Sequence, residues 1–318
     1  MKLASIHADG ADRLVVLVDG KLADLASFTK CPADMIALIE GGSALLERIA
    51  ADLAAADPAK LALFDPTAVT WHPPVRRPCK IVCVALNNRS LDKIKVKAPT
   101  DHPAFFLKPF TALTGHGGEI RLRPEYGFTH PEPELAVIVG KTLTDATPQQ
   151  ALAAVFGYSI INDVTCTKMR EEDSFTLRTY RDQPDGTRVD DLHHTSYPGR
   201  YKGADTFAPL GPYLTTADEV PDPSALAIRC HMDGTLVASD LTANYVWSVA
   251  HALSHISRTN TLLPGDVVAM GTAVGMESAD PDAPNLPGIT RCNLDGYTGE
   301  VTIEITGLGT LSNPVRCM

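Results

Sequence analysis

A short run of the sequence, residues 132–140, constrains the fold and the chemistry of this chain most strongly. After Glu132-Pro133-Glu134 the chain reads Leu-Ala-Val-Ile-Val-Gly, and a short apolar run rich in β-branched residues that ends at glycine predicts a buried β-strand. Side chains alternate between the two faces of a strand, so Glu132 and Glu134 point the same way. Their Cα atoms would lie about 6.6 Å apart at roughly 3.3 Å per residue. Two carboxylates placed like this repel each other and are costly to desolvate.

A cation between the two carboxylates would remove that cost, and a third acidic residue is available to hold it. Asp163 follows the apolar run 156–162, which predicts a second buried strand. Three carboxylates favour a hard ion, Mg²⁺, with Mn²⁺ or Ca²⁺ as the alternatives. Acidic pairs such as Glu132 and Glu134 are also common on solvated surfaces. From the residues alone, a solvated pair at the mouth of a strand therefore remains the other interpretation.

Composition bounds the classes of partner. The chain has 318 residues, enough for one large domain or two, and a mean hydropathy of −0.01, which is typical of a soluble globular protein. No apolar run approaches the roughly 20 residues of a membrane span, and residues 1–9 lack the apolar core of a signal peptide. A net charge of −10 argues against a nucleic-acid partner. It allows a small anionic substrate, because a metal and a few local cations can reverse the sign.

The cysteines indicate a reducing compartment. There are seven, an odd number, and they form no C-x-x-C motif or cluster with histidine. Reduced thiols in a cytoplasmic protein are the expected state for such a pattern.

The chain divides into two predicted domains, residues 1–75 and residues 79–318. The first is a small α+β unit with a strand at 13–18, a hairpin turn at Asp19-Gly20 and a helix at 43–56. Prolines 73, 74 and 78 form a stiff connector. Beyond it, strand-like segments outnumber helices and do not alternate with them. This favours an α+β or mostly β catalytic domain over a doubly wound sheet.

Several local patterns in the second domain predict structure without chemistry. Thr147-Pro148 with Gln150 is a capping box that starts a helix ending near Gly157. Residues 167–200 are polar and are expected to be irregular, with His193-His194 at the surface. His251 and His255 have the spacing of a metal pair on a helix, but no acidic residue lies between them, so surface histidines are preferred. The loop 89–101 is either a binding loop or a solvated surface loop.

The order of motifs resembles the fumarylacetoacetate hydrolase family. The core of the resemblance is Glu132-Pro133-Glu134-Leu135, then Gly140-Lys141, Gly157-Tyr158 and Asn162-Asp163. Further landmarks in the expected order are Phe106-Leu107-Lys108-Pro109, Lys202, Gly211-Pro212, Gly265-Asp266, Gly271-Thr272 and Gly307-Leu308-Gly309. The resemblance covers residues 79–315. It implies a mixed β-roll catalytic domain behind a small N-terminal domain, usually in a homodimer.

The resemblance also implies a site. A divalent metal would be held by Glu132, Glu134 and Asp163 and would polarise the carbonyl of a 2-oxo acid or 1,3-dicarbonyl substrate. Lys202 would stabilise the developing enolate, and Thr272 would hydrogen-bond the substrate carboxylate. Taken alone, Lys202 can equally be a solvated lysine, and Thr272 a turn residue that satisfies the local backbone.

One departure from the family pattern bears on the reaction. Hydrolases of the family often carry N-Y-x-x-H-x-x-E after the first strand of the catalytic domain, where the histidine and glutamate activate water. Here the tyrosine position is Asn88, the histidine position is Leu91 and the glutamate position is Ile94. His102 or His116 could supply a base instead. An arginine common after the N-D motif is replaced by Thr167, with Lys168 and Arg170 nearby.

The function expected first is Mg²⁺-dependent hydrolytic cleavage of a C–C bond in an acylpyruvate-like or fumarylacetoacetate-like acid. Hydratase or dehydratase, decarboxylase and tautomerase activities in the same metal cup are the alternatives, and Leu91 and Ile94 tilt toward them. A relative that binds a metal and an oxo acid without catalysis is the third possibility.

Overall fold

The computed structural model describes residues 1–92, 95, 98–274 and 292–318. Ile94 lies outside the described residues. The strands are β1 (Lys2–Ala8), β2 (Ala11–Val18), β3 (Lys21–Asp24), β4 (Leu63–Phe64), β5 (Thr70–Trp71), β6 (Ile81–Val84), β7 (Phe105–Lys108), β8 (Leu113–Thr114), β9 (Ile120–Leu122), β10 (Thr129–His130), β11 (Pro133–Val139), β12 (Val155–Asn162), β13 (Thr165–Cys166), β14 (Ser174–Asp182), β15 (Arg188–Ser196), β16 (Ala208–Thr216), β17 (Ala227–Met232), β18 (Thr235–Leu241), β19 (Val267–Thr272), β20 (Glu300–Ile305) and β21 (Gly309–Cys317). The α-helices are α1 (Met35–Glu40), α2 (Gly42–Ala55), α3 (Pro148–Ala153), α4 (Thr167–Glu172) and α5 (Val249–Ser257).

A twelve-stranded mixed sheet runs through the molecule in the order β4-β3-β2-β1-β16-β12-β11-β19-β6-β7, with β5 beside β1 and β8 beside β16. The strand predicted from residues 132–140 is β11. It lies near the middle of the sheet, antiparallel to β12 and β19. All seven of its residues are buried, as expected for a continuous apolar run covered on both faces.

The alternation of side chains along β11 directs them into two different apolar cores. Leu135, Val137 and Val139 pack into one core, which the five-stranded sheet β18-β17-β20-β21-β9 closes. Ala136 and Ile138 pack into the other core, together with residues of β1, β2, α1 and α2. Because β11 is held on both faces, its entrance is a rigid place on which to mount polar side chains.

The N-terminal segment forms the predicted hairpin and helix, as β2–β3 with its turn at Asp19-Gly20, and α2. Hydrogen-bonded pairing continues from β1 into β16, with Leu3 opposite Leu214. Mixed sheets with few helices agree with the strand-rich fold expected from the sequence. The α+β description and the division into domains 1–75 and 79–318 stay predictions.

Two local expectations are wrong. The helix that starts at Thr147 ends at Ala153 rather than near Gly157, because Val155 already pairs with Val139 of β11. Residues 167–200, expected to be irregular, contain α4 and the long antiparallel hairpin β14–β15. Within the part of the chain that the structure describes, no helix is long and apolar enough to cross a membrane.

Candidate metal centre

The ends of β11 and β12 bring the three predicted carboxylates together. Pro133 pairs with Asn162. Across this strand end, the Asp163 amide donates to the Glu132 carbonyl at 2.9 Å, and the Glu132 amide donates to Asn162 Oδ1 at 2.9 Å. Carboxylate oxygens of Glu132, Glu134 and Asp163 consequently lie within 4.8 Å of one another. Glu134 and Asp163 are buried, and Glu132 is partly exposed.

Lys202 reaches the same cluster. Its Nζ donates to Glu132 Oε2 at 2.8 Å and to Asp163 Oδ2 at 2.6 Å. The lysine itself is 8% exposed, so the alternative of a solvated surface lysine is wrong. The structure thus places Lys202 beside the carboxylates, as the resemblance implies, while its catalytic role stays a prediction.

A second lysine, for which no role was predicted, contacts the cluster from the interior. Lys108 ends β7, and its Nζ donates to Asp163 Oδ1 and to the Phe207 carbonyl, the latter at 2.7 Å. Its side chain is fully buried. A lysine at a strand end is ordinarily solvated, so nothing in the local spacing pointed to this contact.

The two lysine ammoniums form ion pairs with Asp163 and Glu132, so Glu134 has a different electrostatic environment. Burial alone would raise the pKa of Asp163, but Lys108 and Lys202 outweigh it and lower that pKa. Burial likewise opposes the charged form of Lys202, yet Asp163 and Glu132 together raise its pKa. Glu134 differs: burial, followed by the charges of Asp163 and Glu132, raises its pKa well above the usual range. Among the described residues no ammonium forms an ion pair with Glu134.

This imbalance fits a divalent cation. Three carboxylates, two of them buried, face two ammoniums and leave an excess of negative charge. Glu134 carries the uncompensated part. Glu134 Oε2 accepts a hydrogen bond from the Gly271 amide at 2.6 Å. Carboxylate oxygens are the donors that Mg²⁺, Mn²⁺ and Ca²⁺ prefer, so Glu132, Glu134 and Asp163 could hold such an ion.

Gly271 is required by its backbone. Its φ is +106°, and an added Cβ would lie 2.9 Å from the Cβ of Asn87. The glycine lets β19 approach closely enough for its amide to reach Glu134. The next residue, Thr272, lines the same cavity, but its hydroxyl donates to the Ala273 carbonyl at 3.2 Å. Both interpretations of Thr272 therefore remain, and contact with a substrate carboxylate stays a prediction.

The cavity above the carboxylates has a volume of about 560 Å³. Val84, Leu86, Leu91 and Phe106 form an apolar wall. Its polar lining includes residues for which no role was predicted: His130, Arg170, His194 and Tyr201. His194, expected to be a plain surface residue, stands on β15 at the base of the hairpin. Alternation on an exposed hairpin cannot show that one end of it borders a cavity.

His130 is the buried histidine closest in sequence to the carboxylates. Its Nδ1 lies 3.9 Å from Glu132 Oε1. Burial lowers the pKa of this imidazole, and the nearby Glu132 charge opposes that effect only in part. His130 lies on β10 and pairs with Thr165 of the neighbouring strand β13. The Thr165 hydroxyl donates to Glu132 Oε1 at 2.7 Å.

The segment that carries a tyrosine and the water-activating dyad in the family is built differently here. Leu91 is buried in the cavity wall. Asn88 is also buried, and its Nδ2 donates to Asp240 Oδ2 at 2.8 Å and to the Thr272 carbonyl at 3.0 Å. Asn88 thus acts as a structural brace beneath the cavity.

The two histidines suggested as substitute bases lie elsewhere. His102 stacks on His255 with ring centroids 5.1 Å apart, and His116 packs edge-on against Trp71 at 5.5 Å. Neither is among the described residues that line the cavity. The expectation that His102 or His116 supplies the base therefore finds no support in their positions.

Comparison with known proteins places this geometry in context. A family model for the C-terminal domain of fumarylacetoacetate (FAA) hydrolase matches residues 80–316. Oxaloacetate tautomerase Fahd2a, mitochondrial, from Rattus norvegicus is 30% identical over 263 residues, which cover 81% of this chain and 75% of the relative. The 2,4-didehydro-3-deoxy-L-rhamnonate hydrolase of Sphingomonas sp. (strain SKA58) is 31% identical over 213 residues, covering 66% and 67%.

A solved structure with a related fold holds a metal. The crystal structure of maleylpyruvate hydrolase from Sphingobium sp. SYK-6, in complex with manganese(II) ion and pyruvate, superimposes with a TM-score of 0.72 and 26% identity. The match covers 100% of this chain and 99% of that one. The related proteins thus include both a tautomerase and hydrolases.

Proposed function

The chain belongs to the fumarylacetoacetate hydrolase family, and from that premise we propose that it catalyses metal-dependent keto–enol tautomerisation of a small anionic 2-oxo acid. Its relatives include a tautomerase and a hydrolase. The choice among these reactions rests on one observation. The position of the water-activating histidine is Leu91, buried in the apolar wall of the cavity.

Tautomerisation needs an enolate to be stabilised and a proton to be moved, but it needs no attacking water. A divalent cation held by Glu132, Glu134 and Asp163 would supply Lewis acidity toward the carbonyl of the substrate. Lys202 presents a fixed ammonium beside the same carboxylates, where it would stabilise negative charge that develops on the substrate oxygen. Leu86, Leu91 and Phe106 would restrict water on one side of the substrate.

We propose Mg²⁺ as the physiological ion, with Mn²⁺ or Ca²⁺ as the alternatives. The support is the donor set, which consists of carboxylates, and the manganese(II) in the related maleylpyruvate hydrolase. Activity measured with each ion after removal of bound metal distinguishes the three. The homodimer implied by the resemblance and the cytoplasmic location stay proposals, and sedimentation equilibrium tests the first.

Hydrolytic C–C cleavage, the reaction expected first from the sequence, is the second candidate. The observation that favours it is His130, a buried imidazole in the cavity with Nδ1 3.9 Å from Glu132 Oε1. A histidine next to a carboxylate can activate water. A hydrolase would then use His130 of β10 as its base, in place of the histidine and glutamate that the family carries at the positions of Leu91 and Ile94.

The experiment offers the purified protein, loaded with Mg²⁺ or Mn²⁺, a panel of 2-oxo acids and acylpyruvates. The ultraviolet absorbance of the enol and the identity of the products are followed together. We expect the enol–keto conversion of a 2-oxo acid such as oxaloacetate to accelerate, and a chelator or Glu134→Gln to abolish the effect. Glu304→Gln, an exposed change on β20, serves as the matched control and should have no effect.

Other outcomes assign the site differently. Cleavage of acylpyruvates faster than tautomerisation would make the chain a hydrolase, with His130→Gln as the decisive variant. Net gain or loss of water would indicate a hydratase or dehydratase, and release of carbon dioxide a decarboxylase. Metal-dependent binding of oxalate without any turnover would indicate a binding protein.

A further inference from the structure

We propose a second metal site, for Zn²⁺ or a similar nitrogen-preferring ion, formed by His7, Asp12 and His72 in the N-terminal part of the chain. The strand register brings these residues together. On β1 and β2, His7 lies directly opposite Asp12, and directly opposed side chains share a face of the sheet. On the other side of β1, the strand β5 ends next to His72, whose amide donates to the Ser5 carbonyl at 3.0 Å.

The donor atoms converge on one point. His7 Nδ1 lies 2.8 Å and His72 Nε2 lies 3.1 Å from the same oxygen, Asp12 Oδ1. One donor atom from each of the three residues lies within 4.8 Å of the others. Around a tetrahedral Zn²⁺ with bonds of about 2.0–2.1 Å, neighbouring ligand atoms are separated by about 3.3 Å. Small side-chain rotations would therefore open a position for the ion.

The remaining contact of Asp12 prepares it as a ligand. Arg76 donates from Nη1 to Asp12 Oδ2 and leaves Oδ1 facing the two imidazoles. Carboxylates that bind a metal are commonly hydrogen-bonded on their other oxygen in this way.

The two sites of the chain would select different metals. Two imidazoles and one carboxylate make up a known zinc donor set, which leaves a fourth position for water. Glu132, Glu134 and Asp163 offer oxygen alone and favour harder ions. A bound Zn²⁺ would connect β1 and β2 with the segment after β5, which leads into the proline-rich connector. Its expected effect is therefore on stability.

The test titrates the full-length protein with Zn²⁺ by calorimetry in excess Mg²⁺. We expect one Zn²⁺ per chain at this site, and a loss of affinity of at least about tenfold in His72→Gln and in Asp12→Asn. At roughly a hundredfold excess of Zn²⁺ over its dissociation constant, the thermal midpoint of the wild type should rise by about 2–6 °C, and that of His72→Gln and Asp12→Asn should not. His255→Gln is the matched control, because His255 belongs to the separate stacked pair with His102.

The proposal is overturned if the wild type binds no Zn²⁺, or if His72→Gln binds it with unchanged stoichiometry and affinity. It is also overturned if the loss occurs in His255→Gln instead. Thermal unfolding without metal shows whether each variant is folded, and two ligand variants on different elements guard against one that fails to fold. Glu134→Gln should keep the Zn²⁺ site, which separates this proposal from the function assigned to the carboxylate cup.

Discussion

Lys108 and Asp163 form an ion pair in the interior of the protein, with the side chain of Lys108 0% exposed and that of Asp163 2% exposed. The Lys108 ammonium donates to Asp163 Oδ1, while the Lys202 ammonium donates to Oδ2 from the cavity side. Lys108 therefore compensates the charge of a proposed metal ligand from behind, and Lys202 does so where a substrate would bind.

Replacing Lys108 by methionine is expected to lower the free energy of unfolding by about 3 kcal/mol. Removing one partner of a buried ion pair leaves an uncompensated charge and typically costs about 3–5 kcal/mol. We expect the lower end because Lys202 still contacts Asp163. Urea unfolding of the metal-free protein gives the value, and saturating Mn²⁺ should restore part of it, since the cation replaces the missing charge.

Lys21→Met is the control for that change. Lys21 pairs with Asp65 at 2.7 Å, but both side chains are close to half exposed. A surface pair of this kind contributes at most about 1 kcal/mol. If Lys108→Met costs no more than Lys21→Met, the buried pair does not stabilise the fold.

Lys202→Met should reduce turnover far more than metal affinity. The ammonium is expected to act on charge that develops during the reaction, and loss of one such group typically costs about 10²–10³-fold in kcat. Metal affinity should stay level or rise, because a competing cation is removed from Glu132 and Asp163. Steady-state kinetics and a Mn²⁺ titration measure the two effects. The exposed Lys141→Met is the control, and equal losses of turnover and metal affinity would refute the role.

Removing the metal should leave the chain folded. Lys108 and Lys202 already compensate two of the three carboxylates, so only Glu134 loses its counter-charge. We expect the thermal midpoint after chelation to lie about 2–6 °C below that measured at a hundredfold excess of Mn²⁺ over its dissociation constant. Glu134→Gln should remove most of this difference. Unfolding of the metal-free chain at room temperature would show that the two lysines do not suffice.

The carboxylates could be predicted because local geometry determines them. A buried strand, the alternation of its side chains and a second strand end suggested the grouping of Glu132, Glu134 and Asp163, and the resemblance to the family favoured it over a solvated pair. The lysines were beyond such reasoning, since Lys108 and Asp163 are separated by 55 positions in the chain. In the sheet order, three strands also lie between β12 and β7. The resemblance to the family supplied Lys202, and the landmark containing Lys108 came without a role.

The hairpin β14–β15 was missed although its signals were present. Asp185-Gly186 is a hairpin turn dipeptide, and Phe175 and Leu177 alternate with polar residues. The many charges around them indicated a solvated irregular segment. The structure shows that the segment is both solvated and regular, because β14 is a strand in which every residue is exposed. The many charged residues correctly indicated exposure to solvent, but they led to the wrong expectation that the segment has no strands.

Asn88→Ala is expected to weaken both the fold and the binding of substrate. Asn88 joins the turn after β6 to Asp240 Oδ2 and to the Thr272 carbonyl, at 2.8 and 3.0 Å. Leaving these buried acceptors without their donor should cost about 1–3 kcal/mol of unfolding free energy. Because Thr272 is the proposed contact for the substrate carboxylate, its release should also raise KM by about fivefold, the equivalent of roughly one hydrogen bond. Asn260→Ala, which loses a solvent-exposed hydrogen bond to Thr259, should alter neither quantity. A stability loss in Asn88→Ala with an unchanged KM would argue that Thr272 does not contact the substrate, and would leave the hydrogen bond to Ala273 as its function.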